Sequence, residues 1–275
     1  MEFKSILALT DLQSASLTGL RAGYHLAERH GAQLVVGHVL VPRTLDPSNV
    51  AEFLAANGLD PETVTIDIEV DADVYEGIDL IVENTSPDLL VLSWRRQKGA
   101  ERLLFASVGL GIVGDVTAPI LALHDGQEKY SFKRALVCLD GSPQAERLLD
   151  SAASLLDDDG EIIALMVIES SPLVIAGLHI GSFGDEVMAK AREAAQEYLA
   201  GVRELRKDVS IRTDLREGSA VHEITNARLH HHADLVVIGS GGIGGRTKFF
   251  VGSVASGVVQ DVDVPTLVVP SSELP

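Results

Sequence analysis

With 275 residues, of which 46% are hydrophobic and 23% charged, the chain can bury one core in each of two ordinary domains, which excludes general disorder. Its 22 Lys and Arg stand against 40 Asp and Glu, a net charge of −18, so a non-specific grip on nucleic-acid phosphates is excluded. The lone Cys138 excludes an intrachain disulfide and a cysteine-rich zinc site, and together with the lack of a signal peptide or any apolar run of roughly 18 residues predicts a cytoplasmic chain without a membrane span.

In chain order, short runs of Val, Ile and Leu alternate with stretches of helical period, the pattern of a parallel sheet buried on both faces. Strands are predicted near 4–10, 34–40, 64–70, 88–93 and 119–123. The helix from Ser14 to His30 is the clearest: Leu17, Leu20, Tyr24 and Ala27 share one face, and Gly31 closes it. The polar stretch 124–130 reads as a linker, and a second set of strands follows near 133–139, 161–168, 209–215, 234–239 and 265–269.

The second set repeats the first. Phe3 to Asp11 matches Phe132 to Asp140 at an offset of 129, while Asp88-Leu89-Leu90-Val91-Leu92 matches Asp234-Leu235-Val236-Val237-Ile238 at an offset of 146. The chain is therefore two copies of one α/β unit, with net 17 residues gained in the second. We place that gain in the apolar, glycine-containing run 170–184, which reads either as a packed surface loop or as a flap for a partner.

Directly after the fourth strand of copy two comes Ile238-Gly239-Ser240-Gly241-Gly242-Ile243-Gly244-Gly245, leading to Gly252-Ser253-Val254-Ala255 and a predicted helix. Open α/β sheets bind ligands beyond the carboxyl ends of their strands, bare glycine backbone can approach an anion closely, and a helix start adds unpaired N–H groups. The alternative is a flexible turn that binds nothing. No Walker A pattern is present, and the cluster follows a fourth strand rather than the first strand of a dinucleotide fingerprint.

The spacing of Gly239, Gly242, Gly252 and Ser253 resembles the ATP-binding signature of the universal stress protein family, and both copies share the surrounding pattern. The resemblance implies two tandem Rossmann-like, doubly wound domains, 1–125 and 131–275, each with a five-stranded parallel sheet of order 3-2-1-4-5 and with the two fifth strands paired across a pseudo-twofold. It also implies ATP or AMP, with or without magnesium, as ligand. Asp140, with Cys138 and Leu139 before it, would meet the adenine and ribose side, and Val167 would line the adenine pocket. Ile238, Gly239, Gly241 and Gly242 would wrap the ribose and first phosphates, and Gly252, Ser253, Val254 and Ala255 would hold the outer ones. Gly241 stands where many members have histidine. The family reading makes the chain a pseudo-dimer, and leaves open further pairing of tandem chains.

Copy one departs from the signature. The positions matching Gly239, Gly242 and Gly252 are Ser93, Arg96 and Ala106, with Ser107 opposite Ser253, so copy one is expected not to bind ATP in the family manner. Among other residues, His230-His231-His232 cannot all face one metal, because neighbours on a helix diverge by about 100°. His38 reads as a satisfied core or rim residue and Cys138 as a buried thiol. Asp140-Gly141-Ser142-Pro143 reads as strand end, turn and helix cap, with Pro143 at the first helical position. Three functions stay in view: a regulatory nucleotide binder, a slow nucleotide hydrolase, and an interaction module using 172–184.

Overall fold

The computed structural model describes residues 3–41, 49–94, 117–127, 129–169, 182–241 and 252–270, apart from the side chains of 94 and 182–185. The first copy runs β1 (Ser5–Leu9), α1 (Leu17–His30), β2 (Gln33–Leu40), α2 (Val50–Ala56), β3 (Thr65–Val70), α3 (Val74–Thr85), β4 (Leu89–Trp94) and β5 (Ile120–His124). The second runs β6 (Phe132–Leu139), α4 (Ala145–Leu155), β7 (Leu156–Glu169), α5 (Ser182–Leu205), β8 (Ser210–Gly218), α6 (Ala220–His231), β9 (Leu235–Gly239), α7 (Ser253–Asp261) and β10 (Thr266–Val269).

The ten strands of the described residues form one sheet in the order β3-β2-β1-β4-β5-β10-β9-β6-β7-β8, so each copy has the expected 3-2-1-4-5 arrangement. Within each copy the strands are parallel. At the centre β5 and β10 run antiparallel, with Leu121 opposite Leu267. Both faces are apolar: Ile6, Val36, Val137 and Leu267 belong to one buried layer, and Leu7, Val35, Leu136 and Val268 to the other. Alternation along the strands sends neighbours to opposite layers, which is why the runs are apolar throughout.

The turns after β1 and β6 are twins. Asp11 accepts the Gln13 N–H at 2.9 Å and Asp140 accepts the Ser142 N–H at 3.0 Å. The residue between is left-handed in both, Leu12 at φ 59° and Gly141 at φ 82°. Because this turn uses up Ser142 and Pro143, α4 starts two residues later than expected: its first bond is from the Leu148 N–H to the Gln144 carbonyl at 3.0 Å, and Pro143 precedes the helix. Copy one opens with a short 3-10 turn, Ser14–Ser16, before α1, and Gly31 closes that helix at φ 62° as predicted.

The added length of copy two lies mainly in a helix. Between β7 and β8 stands α5 with 24 residues, where α2 has 7 between β2 and β3. The placement in 170–184 is corrected to that extent, since helical period continues through Met188 to Leu205; residues 170–181 lie outside the described part. Further bonds tie the halves together. Arg29 at the end of α1 donates to the carbonyls of Leu155 (3.1 Å) and Leu156 and faces Asp157 at 3.4 Å. Arg147 donates to the Thr117 carbonyl at 3.0 Å, and Gln127 to that of Asp263 at 2.9 Å.

Candidate functional site

The site is assembled at the carboxyl ends of β6, β7 and β9. β9 ends in Gly239, after which the Ser240 N–H bonds the Val269 carbonyl at 2.9 Å and the Ser240 carbonyl accepts from the Gly252 N–H at 2.7 Å. That second bond pins the start of α7 to the end of β9, so the two ends of the glycine cluster meet although ten or more residues separate them. α7 has no side-chain cap; Gly252 is its cap residue, and the first internal bond runs from the Ser256 N–H to the Gly252 carbonyl at 3.0 Å. The N–H groups of Ser253, Val254 and Ala255 precede that bond, as the first donors of any helix do. Ser253 is thus the first helical residue rather than the cap, and its side chain is exposed.

A cavity of about 340 Å³ opens here. Its walls include Cys138, Leu139 and Asp140 from the end of β6, Val167 from β7, Ile238, Gly239 and Gly241 from the end of β9, and Gly252, Ser253, Val254 and Ala255 from the start of α7. Every described residue that the resemblance assigns to the nucleotide site therefore meets at one cavity; Gly242 lies outside the described part, as do 243–251. The two glycines are not demanded by packing. A Cβ on Gly239 would come no closer than 3.6 Å to the Gln144 Oε1, and one on Gly252 no closer than 3.5 Å to the Ser240 carbonyl. Their bareness keeps the cavity open rather than relieving a clash.

Sequence reading missed the other walls. Leu165 and Glu169 share a face of β7 with Val167, and a period-2 count from Val167 would have found them. Ala220 and Ile224, one turn apart on α6, close the far side, and Ser142 and Gln144 come from the β6–α4 turn. Asp140 and Glu169 are the carboxylates of the wall, and among its described residues there is no lysine or arginine. The Tyr198 hydroxyl, from α5, donates to the Ser142 carbonyl at 3.3 Å and braces the turn; burial and then the Asp140 charge push its pKa up. Cys138 is half-buried at the cavity wall, and burial of its thiol raises it to about 12, so it is protonated at neutral pH.

In copy one, Ser93 stands in place of Gly239. Its Oγ accepts the Gly19 N–H at 2.9 Å and donates to the Ala15 carbonyl at 2.7 Å, so the side chain occupies the gap between β4 and the start of α1. Arg96, Ala106 and Ser107 lie outside the described residues. His38 is buried with its Nδ1 2.8 Å from the Thr10 carbonyl, a satisfied core residue as expected. Among the described residues no three His, Cys, Asp or Glu side chains form a candidate metal group. His230 and His231 end α6 and His232 follows at φ 52°; only His231 reaches a carboxylate, its Nε2 lying 2.8 Å from Asp214. Burial opposes ionisation of Asp214, yet the bonds from His231 and Arg216 outweigh it and hold that carboxyl below its usual range.

The description of the universal stress protein family matches residues 2–124 and again 131–270. A universal stress protein of Methanocaldococcus jannaschii is 29% identical over 150 residues, covering 54% of this chain and 86% of that protein. Universal stress protein YxiE of Bacillus subtilis is 27% identical over 146 residues, covering 50% of this chain and 99% of its own. A crystal structure of a universal stress protein from Archaeoglobus fulgidus aligns with 98% of this chain and 97% of its own, at 17% identity and a TM-score of 0.61. The two matched spans, each carrying one five-stranded half of the sheet, make the chain a tandem member of the universal stress protein family.

Proposed function

We propose that the chain is a regulatory protein that binds an adenine nucleotide, ATP or AMP, at the β6–β9 cavity, with copy one non-binding. The observation that carries this reading is the convergence of Gly239, Gly252, Ser253, the uncapped start of α7 and Asp140 on one cavity of about 340 Å³. The residues fit such a ligand. N–H groups at a helix start favour phosphate oxygens, typically by about 0.3–1 kcal/mol per charge at exposed sites. The apolar slot of Leu165, Val167 and Ile224 suits a flat base, and Asp140 suits ribose hydroxyls. Since both wall carboxylates are anionic, ATP enters best with its charge reduced by magnesium. In copy one, Ser93 spends the space and the bonding capacity that Gly239 leaves free.

The output is a change of shape or assembly on nucleotide binding, serving a stress response. Mass spectrometry of small molecules released from the purified chain tests the ligand: ATP or AMP at about one per chain is expected. An empty protein whose melting temperature is unmoved by saturating ATP and magnesium would end this reading.

A further inference from the structure

The turn that carries Asp140 is secured differently from its twin in copy one. At the repeat offset of 129, Ser142 corresponds to Gln13 and Ala145 to Ser16. In copy one the Gln13 carbonyl is taken up by its near neighbour: it accepts from the Ser16 N–H at 3.0 Å and from the Ser16 hydroxyl at 2.8 Å. Ala145 has no hydroxyl to offer. In copy two the Ser142 carbonyl accepts from the Tyr198 hydroxyl at 3.3 Å, so a residue of another helix does what a serine of the same turn does in copy one.

Ser142 thereby links two side chains. Its N–H holds Asp140 Oδ1 at 3.0 Å, and its carbonyl is held by Tyr198. Between Asp140 and Ser142 stands Gly141 at φ 82°, a residue with no side chain to stiffen the bend. Asp140 Oδ2 makes no hydrogen bond among the described residues, and Asp140 and Ser142 both line the cavity. The support behind Tyr198 is firm: Ala195, Leu199 and Val202 of α5 are buried, and Arg203 bonds the Thr213 hydroxyl of β8 at 2.6 Å. The phenol, kept protonated by burial and by the Asp140 charge, stays a donor at neutral pH.

We propose that Tyr198 is a positioning residue for sugar recognition: through the Ser142 peptide it fixes Asp140 with one carboxylate oxygen engaged and the other left for the ribose hydroxyls, which selects ribonucleotides over nucleotides whose sugar lacks them. The inference rests on the nucleotide reading of this cavity. A carboxylate held in one orientation meets the hydroxyls without first being ordered, whereas one on a loosened turn gives up part of that preference. Base and phosphates are met by other elements, β7 and the start of α7, so their share of the affinity does not pass through Tyr198.

The test titrates the full chain with ATP and with 2′,3′-dideoxy-ATP, both with magnesium, by calorimetry. The wild type should prefer ATP by about tenfold, the scale of a hydrogen bond to a charged group that water can partly replace. In Tyr198→Phe the preference should fall below about threefold while the affinity for dideoxy-ATP stays as in the wild type. Asp140→Ala should abolish the preference, and adding Tyr198→Phe to it should change nothing further. Tyr24→Phe removes a comparable hydroxyl, bonded to the Asp60 carbonyl at 2.7 Å in copy one, and should keep the full preference. If Tyr198→Phe weakens both nucleotides by one factor, the tyrosine is a brace alone and the proposal is overturned. Equal affinities in the wild type overturn it while the nucleotide site stands; binding of neither ends both readings. Hydrogen exchange of the unliganded chain checks the turn itself: residues 139–144 should exchange faster in Tyr198→Phe than in the wild type, and unchanged exchange there overturns the proposal as well.

Discussion

Replacing Gly239 with serine would write the copy-one residue into the copy-two cavity. The new Cβ meets nothing closer than the Gln144 Oε1 at 3.6 Å, an ordinary contact, so no repulsion is introduced. The groups of α4 that correspond to the Ser93 partners Gly19 and Ala15, the Leu148 N–H and the Gln144 carbonyl, already bond each other at 3.0 Å, so the new hydroxyl gains no hydrogen bond from them. Loss of glycine freedom in the unfolded chain adds about 0.4–1 kcal/mol of stability. At about 2–4 °C per kcal/mol the unliganded variant should melt a few degrees above the wild type. ATP with magnesium at about a thousand times the dissociation constant stabilises the wild type by about 4 kcal/mol, or roughly 8–16 °C, and should leave Gly239→Ser nearly unmoved. Differential scanning fluorimetry with and without ligand measures both quantities. A variant that is stabilised by ATP as strongly as the wild type would refute the assignment of the ligand to the end of β9.

Four other outcomes are expected. Cys138, with its thiol pushed up to about 12, should resist maleimide at pH 7.5 in the native chain and react fully in denaturant, as counted by mass spectrometry. Arg29→Ala should cost about 1–2 kcal/mol in urea unfolding, because it strips the Leu155 and Leu156 carbonyls at the end of α4 of a charged donor shared between the halves. The carboxyls of Asp208 (about 2), Asp214 and Glu217 are depressed in the folded chain, Asp208 chiefly by its bond from Arg206 and Glu217 by that from Arg192. Their stabilisation is complete above the unfolded values and is lost as pH falls through the folded ones, so melting temperature should drop between pH of about 4.5 and about 2, less steeply in Arg206→Ala. Leu12→Gly should relieve a left-handed backbone at φ 59° worth about 1–2 kcal/mol, offset by lost packing of the leucine, leaving thermal stability within about 1 kcal/mol of the wild type.

The repeat and the strands were legible because each strand is buried on both faces and so reads as an unbroken apolar run, and because one copy indexes the other. The cavity floor was legible for a related reason: Gly239 and Asp140 sit where strands end and Gly252 where a helix begins, and both kinds of boundary are visible in the sequence. Its walls were not. Ala220 and Ile224 lie on α6, whose apolar residues look like any core-facing stripe until the helix is docked. The helical nature of the inserted length was also hidden, because the run 170–184 drew attention to itself while the helix that begins at Ser182 continues through the plainer residues after it. Pro143 was misplaced because the turn fixed by Asp140 and Gly141 takes precedence over the local preference of proline for a first helical turn.

The antiparallel seam of β5 and β10 joins two units that, as identical separate chains, would have to carry every substitution twice. Here each half changes alone. Ser93 faces Gly239, Leu12 faces Gly141, and seven residues of α2 face twenty-four of α5, differences that no symmetric pair of subunits can hold. A mixed dimer would need some device to prevent like halves from meeting; a covalent tether enforces one half of each kind in every molecule. Stoichiometry is thereby settled at synthesis, and one lobe is released to acquire a task the other does not perform.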